Sequence, residues 1–136
     1  MAYYLAKSEP QVYSIADLER DGKTVWDGVR NPQAVQAIRA MAAGDIVFVY
    51  HSGGESAVVG WARVSGAGRP DPKDPKSAVM DLEFGGRLEP ATPLKEIKAE
   101  AQFASFALVR QSRLSTMACP DAFVGWMRKR YPRAKF

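Results

Sequence analysis

Residues 78–84 alternate, with Ala78, Met80, Leu82 and Phe84 on one side and Val79, Asp81 and Glu83 on the other. This two-residue period predicts a strand with one wet face. A helical period governs an earlier stretch, where Ala34, Val35, Ile38, Met41 and Ala42 recur at three- and four-residue spacing while Gln33, Gln36 and Arg39 fall outside the stripe. Asn31-Pro32 in front of it supplies a cap and a proline at the first helical position, and Gly44-Asp45 marks the expected stop. Residues 46–50, I-V-F-V-Y, are short, β-branched and aromatic without alternation, which predicts a strand buried on both faces. Residues 58–64 predict its antiparallel partner across the turn at Gly53-Gly54-Glu55.

Shorter signals fill the rest of the chain. Residues 3–6 read as a first strand that ends in the turn Lys7-Ser8-Glu9-Pro10, because Pro10 has no N–H for the ladder. Ser14-Ile15-Ala16-Asp17 has the capping-box form and predicts a helix to residue 19 or 20, closed by Asp21-Gly22. Val25-Trp26 reads as a brief extended piece. Residues 66–75 turn to Gly, Pro, Asp and Lys and predict a surface loop. A short helix is expected over 94–98, residues 99–111 stay open between helix and loop, and 113–117 look extended. From Pro120 a last helix is predicted, with Phe123, Val124, Met127 and Tyr131 able to share a face. Hairpin-linked strands flanked by short helices predict an α+β fold around a small curved or barrel-like sheet.

Composition narrows the class. At 136 residues, 46% hydrophobic and 25% charged, the chain has the size and balance of one ordinary globular domain. It is not a disordered tail, a collagen or a disulfide-stapled mini-protein. The longest apolar run, residues 46–50, is far below the roughly 20 residues of a bilayer span, and the first residues lack the basic and apolar regions of a signal peptide. One cysteine, Cys119, and one histidine, His51, make neither an internal disulfide nor a Cys/His zinc site. A cytoplasmic protein with no cofactor and no membrane partner is the expectation.

The net charge of +4 is smaller than the five cations Arg128, Lys129, Arg130, Arg133 and Lys135 that follow Asp121 without an acid, so the rest of the chain carries −1. The basicity belongs to the tail, which can contact phosphates or serve only solubility.

Common catalytic signatures are missing. Gly66-Ala67-Gly68-Arg69 opens like a dinucleotide fingerprint but lacks the third glycine and a following helix. No phosphate-binding loop, H-E-x-x-H or G-x-S-x-G occurs. His51 and Ser52 are strand neighbours whose side chains point to opposite faces, so they do not read as a nucleophile and its base. A ring satisfied by a backbone partner is the plainer reading of His51.

Four islands have a composition unlike plain core or plain loop: Lys7-Ser8-Glu9-Pro10, Trp26-Asp27-Gly28-Val29-Arg30-Asn31, Tyr50-His51-Ser52 and Arg113-Leu114-Ser115. Each falls at a strand end or helix entrance, where a rigid element presents side chains to a cleft, so all four can share one mouth. Each also has a plain reading: Trp26 as core, Asn31 as helix cap, Arg30 and Asp27 as an ion pair, Ser8 as a turn former.

The ordered set K-S-E-P at 7–10, W-D-G-V-R-N at 26–31, G-D at 44–45, Y-H-S at 50–52, V-G at 59–60 and R-L-S at 113–115 resembles the EVE domain, a PUA-like family similar in fold to the YTH readers of methylated adenine. The resemblance implies one domain over 1–136 with a PUA-like small curved mixed β-barrel flanked by short helices. It further implies a pocket for a modified base, a modified cytosine before others, in DNA or RNA.

On this reading Trp26 is the stacking wall, and Ser8, the backbone of Lys7 to Glu9, Asn31, Ser52 and neutral His51 meet the base edge. Tyr50, Arg113 and Ser115 join the candidate ligand-binding set, and Leu114 and Met117 form either an apolar recess or core. Lys7, Arg30 and Arg113 suit phosphates or structural pairs with Asp27 and Glu9, and Arg128, Lys129 and Arg130 extend the phosphate contacts. Three positions depart from the family pattern: Pro32 stands where an aromatic is expected, Ser77-Ala78 where a tryptophan is common, and Thr116 where an apolar residue follows R-L-S. Two alternatives accompany the reader function: a nucleoside or small-molecule sensor, and a hydrolase of a modified cytidine using Lys7, Ser8 and Glu9. A partner nuclease or helicase and the oligomeric state are left open.

Overall fold

The computed structural model describes all 136 residues. Six strands form one mixed sheet: β1 (Tyr3–Ser8), β2 (Lys23–Trp26), β3 (Ile46–His51), β4 (Ala57–Asp71), β5 (Asp74–Pro93) and β6 (Thr116–Ala118). Their order is β2-β5-β4-β3-β1-β6. The β1–β3 pair is parallel, with Tyr3 opposite Ile46 and Ser8 opposite His51, and the other neighbours are antiparallel. A parallel pair needs a long crossover. Here it carries β2 and two helices, α1 (Ile15–Asp21) and α2 (Pro32–Arg39).

The α+β class and the mixed sheet agree with the sequence, but the ladder does not close into a barrel. Its edges, β2 and β6, are strands of four and three residues that do not pair with each other. The doubly buried strand predicted at 46–50 is β3, in which every residue through His51 is buried. The capping box is also present: Ser14 Oγ accepts from Asp17 N–H at 3.1 Å and Asp17 Oδ2 accepts from Ser14 N–H at 2.9 Å.

Two local expectations need correction. Residues 66–75 are not a surface loop, because β4 and β5 run on as a long arm that turns only at Pro72-Lys73. Breaks in register between Val64 and Gly66, Gly66 and Arg69, and Pro70 and Asp71 absorb the proline that cannot donate. Asp71 and Asp74 accept from the Lys73 and Lys76 N–H groups, an Asx-type bond at each side of the turn. Gly68 makes the arm fit, since a Cβ there would strike the Ile38 carbonyl of α2.

The second correction concerns α2, which ends at Arg39 rather than running to Ala42. Asp45 organises the residues beyond it by accepting from the N–H groups of Ala42 and Ala2. Residues 99–111 resolve into the end of α3 (Leu94–Ala99), a 3-10 turn (Ala101–Phe103) and α4 (Ala107–Arg110). The final helix, α5 (Asp121–Arg130), buries Phe123, Val124 and Met127. Phe48, Phe103, Phe106 and Phe123 meet edge-on or tilted at its foot, an aromatic cluster that holds the helical layer to the sheet.

Candidate functional site

The gap between the two unpaired edges is a cleft of about 330 Å³. Thr24, Val25 and Trp26 of β2 form one wall, and Lys7 and Ser8 at the end of β1, with Ser115 just before β6, form the other. Val12 and Tyr13 lie across one end, and Asp27 to Val29 complete the rim. Three of the four islands therefore reach this cleft.

Trp26 is paired with Met80 through β2 and β5 and is 8% exposed. It belongs to the buried core and also lines the cleft, and its ring meets Tyr13 edge-to-face at 6.3 Å between centroids. Ser8 Oγ donates to the Tyr13 carbonyl at 2.6 Å, closing a turn in which Val12 and Tyr13 N–H donate to the Glu9 carbonyl. Because the Ser8 proton is used in that bond, its free lone pairs are acceptors toward the cleft. Burial raises the Tyr13 phenol above its ordinary pKa, and its hydroxyl donates to Asp21 at 2.8 Å.

The rim depends on Gly28, whose φ of 79° places the backbone in the left-handed region where side chains are disfavoured. The chain turns there from β2 toward α2. Behind it the Val29 carbonyl accepts from the buried Ser77 hydroxyl. Ser77, one of the departures from the family pattern, thus has a structural task beside the cleft.

Several candidates are placed elsewhere or are already engaged. Asn31 Oδ1 accepts from the Gln33 and Ala34 N–H groups at 2.8 and 3.2 Å, which makes it the cap of α2. Arg30 is exposed and forms no ion pair with Asp27. Glu9 is exposed and outside the cleft lining, and the Lys7 ammonium donates to the Ser112 carbonyl at 3.0 Å rather than to Glu9. His51 is buried, with Nε2 accepting from Ile15 N–H and Nδ1 against Glu55. Tyr50 and Ser52 face a separate cavity on the far side of Lys7. Leu114 and Met117 are core residues, each 3% exposed, and do not border the cleft, while Arg113 is exposed and outside its lining.

The tail cations are likewise apart from the cleft. Arg128 stacks over Tyr3 and donates to its hydroxyl, and Arg130 binds Glu96 and Thr92 while lying 4.9 Å from the Trp126 ring centroid. Lys129 is exposed. Arg130 also borders the largest cavity, about 760 Å³, between the tail and β4–β5. That cavity shares no residue with the Trp26 cleft, and its own indole, Trp61, is packed against Phe136 and the Gly85-Gly86 backbone.

The sequence reading missed Val12, Tyr13, Thr24 and Val25. The exposed large apolar side chains are Met1, Val12 and Val25, so two of the three stand at this cleft. Exposed apolar groups beside a polar rim are a recognised mark of a binding surface. An apolar residue directly after K-S-E-P-Q was the available signal.

The EVE domain family model matches residues 2–130. This chain belongs to the EVE domain family. Among the relatives of this EVE domain is mouse thymocyte nuclear protein 1, which is 32% identical over 74% of this chain and 57% of that protein. The chain thus spans a little over half the length of the curated relatives it matches. A crystal structure of a protein from Agrobacterium tumefaciens superposes with a TM-score of 0.89 at 30% identity, covering 100% of both chains. The human THYN1 protein, solved in complex with 5-methylcytosine-containing DNA, superposes with a TM-score of 0.86 at 26% identity, covering 96% of this chain and 98% of that one. The EVE fold of those structures is therefore the fold of this domain.

Proposed function

We propose that this EVE domain binds nucleic acid and reads a modified cytosine turned out of its stack into the Trp26 cleft. The observation that carries the reading is the position of Trp26, an indole at the open edge of the sheet facing Ser8 and Ser115 across a cavity of about 330 Å³. That volume is at the small end of ligand pockets and suits one nucleoside rather than a paired helix. The human relative's complex with 5-methylcytosine-containing DNA supports the same ligand class.

The chemistry of the rim favours cytosine. Ser8 Oγ presents acceptor lone pairs, and Asp27 adds a carboxylate at the same cleft. Cytosine carries an exocyclic amino group that donates, and carboxylates are its usual protein acceptors. Extruding the base costs a few kcal/mol, and stacking on an aromatic face contributes about 1–3 kcal/mol. One methyl group in an apolar recess is worth only about 1–3 kcal/mol, so preference for the mark should be modest. Val12 and Val25 are the apolar groups placed to touch it. The hydrolytic alternative gains no support, because the Lys7 ammonium and the Ser8 hydroxyl donate to separate backbone carbonyls and Glu9 is outside the cleft lining.

The test is fluorescence anisotropy on short DNA and RNA oligonucleotides carrying cytosine, 5-methylcytosine or other modified cytosines, with wild type, Trp26→Phe and Trp26→Ala. The expected result is tighter binding of one modified form, retained in part by Trp26→Phe and lost in Trp26→Ala. Equal weak affinity for every oligonucleotide, unchanged in a folded Trp26→Ala protein, would overturn the reading.

A further inference from the structure

Lys7 separates two cavities. Its stem borders the Trp26 cleft, and its ammonium lies on the other side, 5.5 Å from the Tyr50 ring centroid and 3.0 Å from the Ser112 carbonyl. On that side a cavity of about 220 Å³ opens between the end of β3, α3 and α4. Its polar lining is Lys7, Lys98 and the hydroxyls of Tyr50, Ser52, Ser56 and Ser112, with no carboxylate.

The acids nearby have other partners, although Glu55 shares an adjoining cavity with Lys98. Glu55 meets His51 Nδ1 at 2.8 Å, Glu96 binds Arg130, and Glu100 accepts from the Gln102 amide. Lys7 and Lys98 take part in no ion pair. A half-buried ammonium without a counter-charge is costly, and burial lowers the Lys7 pKa accordingly. One neutral carbonyl and an aromatic face offset only part of that cost, and two of the three Lys7 N–H donors remain free for another acceptor.

We infer that this cavity is a phosphate subsite, in which Lys7 and Lys98 hold a backbone phosphate of the same strand whose base occupies the Trp26 cleft. The inference rests on the base-reading proposal for the identity of the strand. A nucleotide spans from base to phosphate across its sugar, and Lys7 stands between the two cavities in the same way. The Ser52 and Ser112 hydroxyls supply further donors to phosphate oxygens, as polar side chains do along nucleic-acid backbones, whereas the Ser56 hydroxyl already donates to the Gly53 carbonyl. Such a contact adds affinity without selecting the base.

Lys98→Gln is the working variant, because Lys98 is exposed and lies outside the Trp26 cleft. Anisotropy over a salt series with 5-methylcytosine and cytosine oligonucleotides should show Lys98→Gln weakening both roughly three- to tenfold, lowering the salt slope by about one, and keeping the ratio between them. 5-Methyldeoxycytidine monophosphate should bind wild type more tightly than the free nucleoside, and Lys98→Gln should erase that advantage. Independently, inorganic phosphate should move the NMR signals of the Lys7 and Lys98 ε-methylenes and leave Lys23 unmoved.

If oligonucleotides bind without preference for a modified base while the phosphate effects persist, the base reading fails and the subsite stands. If the preference holds but the salt slope and the monophosphate advantage are the same in wild type and Lys98→Gln, and inorganic phosphate leaves the Lys7 signal unmoved in both, the subsite is overturned. Lysine shifts with inorganic phosphate but no monophosphate advantage would make it a site for a free anion and overturn its assignment to the strand.

Discussion

The Ile15 N–H donates to His51 Nε2 at 3.0 Å, and the opposite ring nitrogen lies 2.8 Å from Glu55 Oε1. Nε2 must therefore carry the lone pair, which places the neutral ring's proton on Nδ1, toward the carboxylate. Ile15 begins α1 and His51 ends β3, so the ring ties the helix start to the centre of the sheet. The turn at residues 9–13 hangs between that tie and Ser8, and it closes one end of the Trp26 cleft. His51→Ala leaves a buried N–H without its partner and should cost about 1–3 kcal/mol in urea unfolding. A variant as stable as wild type would show that the ring does not hold the helix.

Stability and base reading should separate at Asn31 and Trp26. Asn31→Ala removes the α2 cap and should cost about 1 kcal/mol. Its preference among oligonucleotides should match wild type. Trp26→Ala should lower affinity for the preferred oligonucleotide by about 1–3 kcal/mol, roughly 5- to 150-fold. Calorimetry on both variants, with unfolding curves alongside, checks the separation.

The α1 capping box predicts an acid effect of definite sign. The Ser14 backbone N–H holds the Asp17 carboxyl below its ordinary 3.8, with the Ser14 hydroxyl and Arg20 adding to the shift. A carboxylate favoured in the fold contributes stability above the unfolded value and loses it as pH falls through the folded one. Wild type should exceed Asp17→Asn in urea midpoint near neutrality, and the gap should close below 3.8. A gap independent of pH would count against the charged cap.

Alkaline unfolding should follow the buried phenols. Burial raises Tyr4, Tyr13 and Tyr50 above the ordinary 10.0, so the unfolded chain ionises first. Their contribution is complete below that value and is lost as pH climbs through the raised folded values. Lys7 acts in the opposite sense, since its lowered pKa makes its desolvation penalty fade as pH rises toward 10.5. Unfolding curves from about pH 9 to about 11.5 should fall less steeply for Tyr4→Phe and Tyr50→Phe than for wild type.

The long arm should depend on Gly68. Gly68→Ala pushes a methyl into the Ile38 carbonyl and should cost about 1–3 kcal/mol or more by overpacking. Circular dichroism with thermal unfolding gives the comparison, and an unchanged melting temperature would mean that the arm lifts freely from α2.

Local signals were legible wherever neighbours in the chain do the work. The capping box at Ser14 and Asp17, the Asn31 cap and the apolar run of β3 all stand as read. The arm over residues 66–75 was misread because glycine, proline and aspartate mark turns by local preference, whereas here cross-strand bonds and register shifts override it. The open sheet was also hidden, since nothing local states whether β2 and β6 meet. Ser52 and Ser8 look equivalent as strand-end hydroxyls, yet Lys7 stands between the cavities they border.

The chain by itself determined the class of fold, the family and the aromatic and polar islands, because hydrophobic period, caps and ordered motifs are properties of adjacent residues. Only the tertiary structure decided which islands meet. Strand order brings Lys7, Ser8, Trp26 and Ser115 to one gap and sends Leu114, Met117 and His51 into the interior. The physical reason is that a cleft arises where two sheet edges fail to pair, and that failure is settled by packing between residues far apart in the chain.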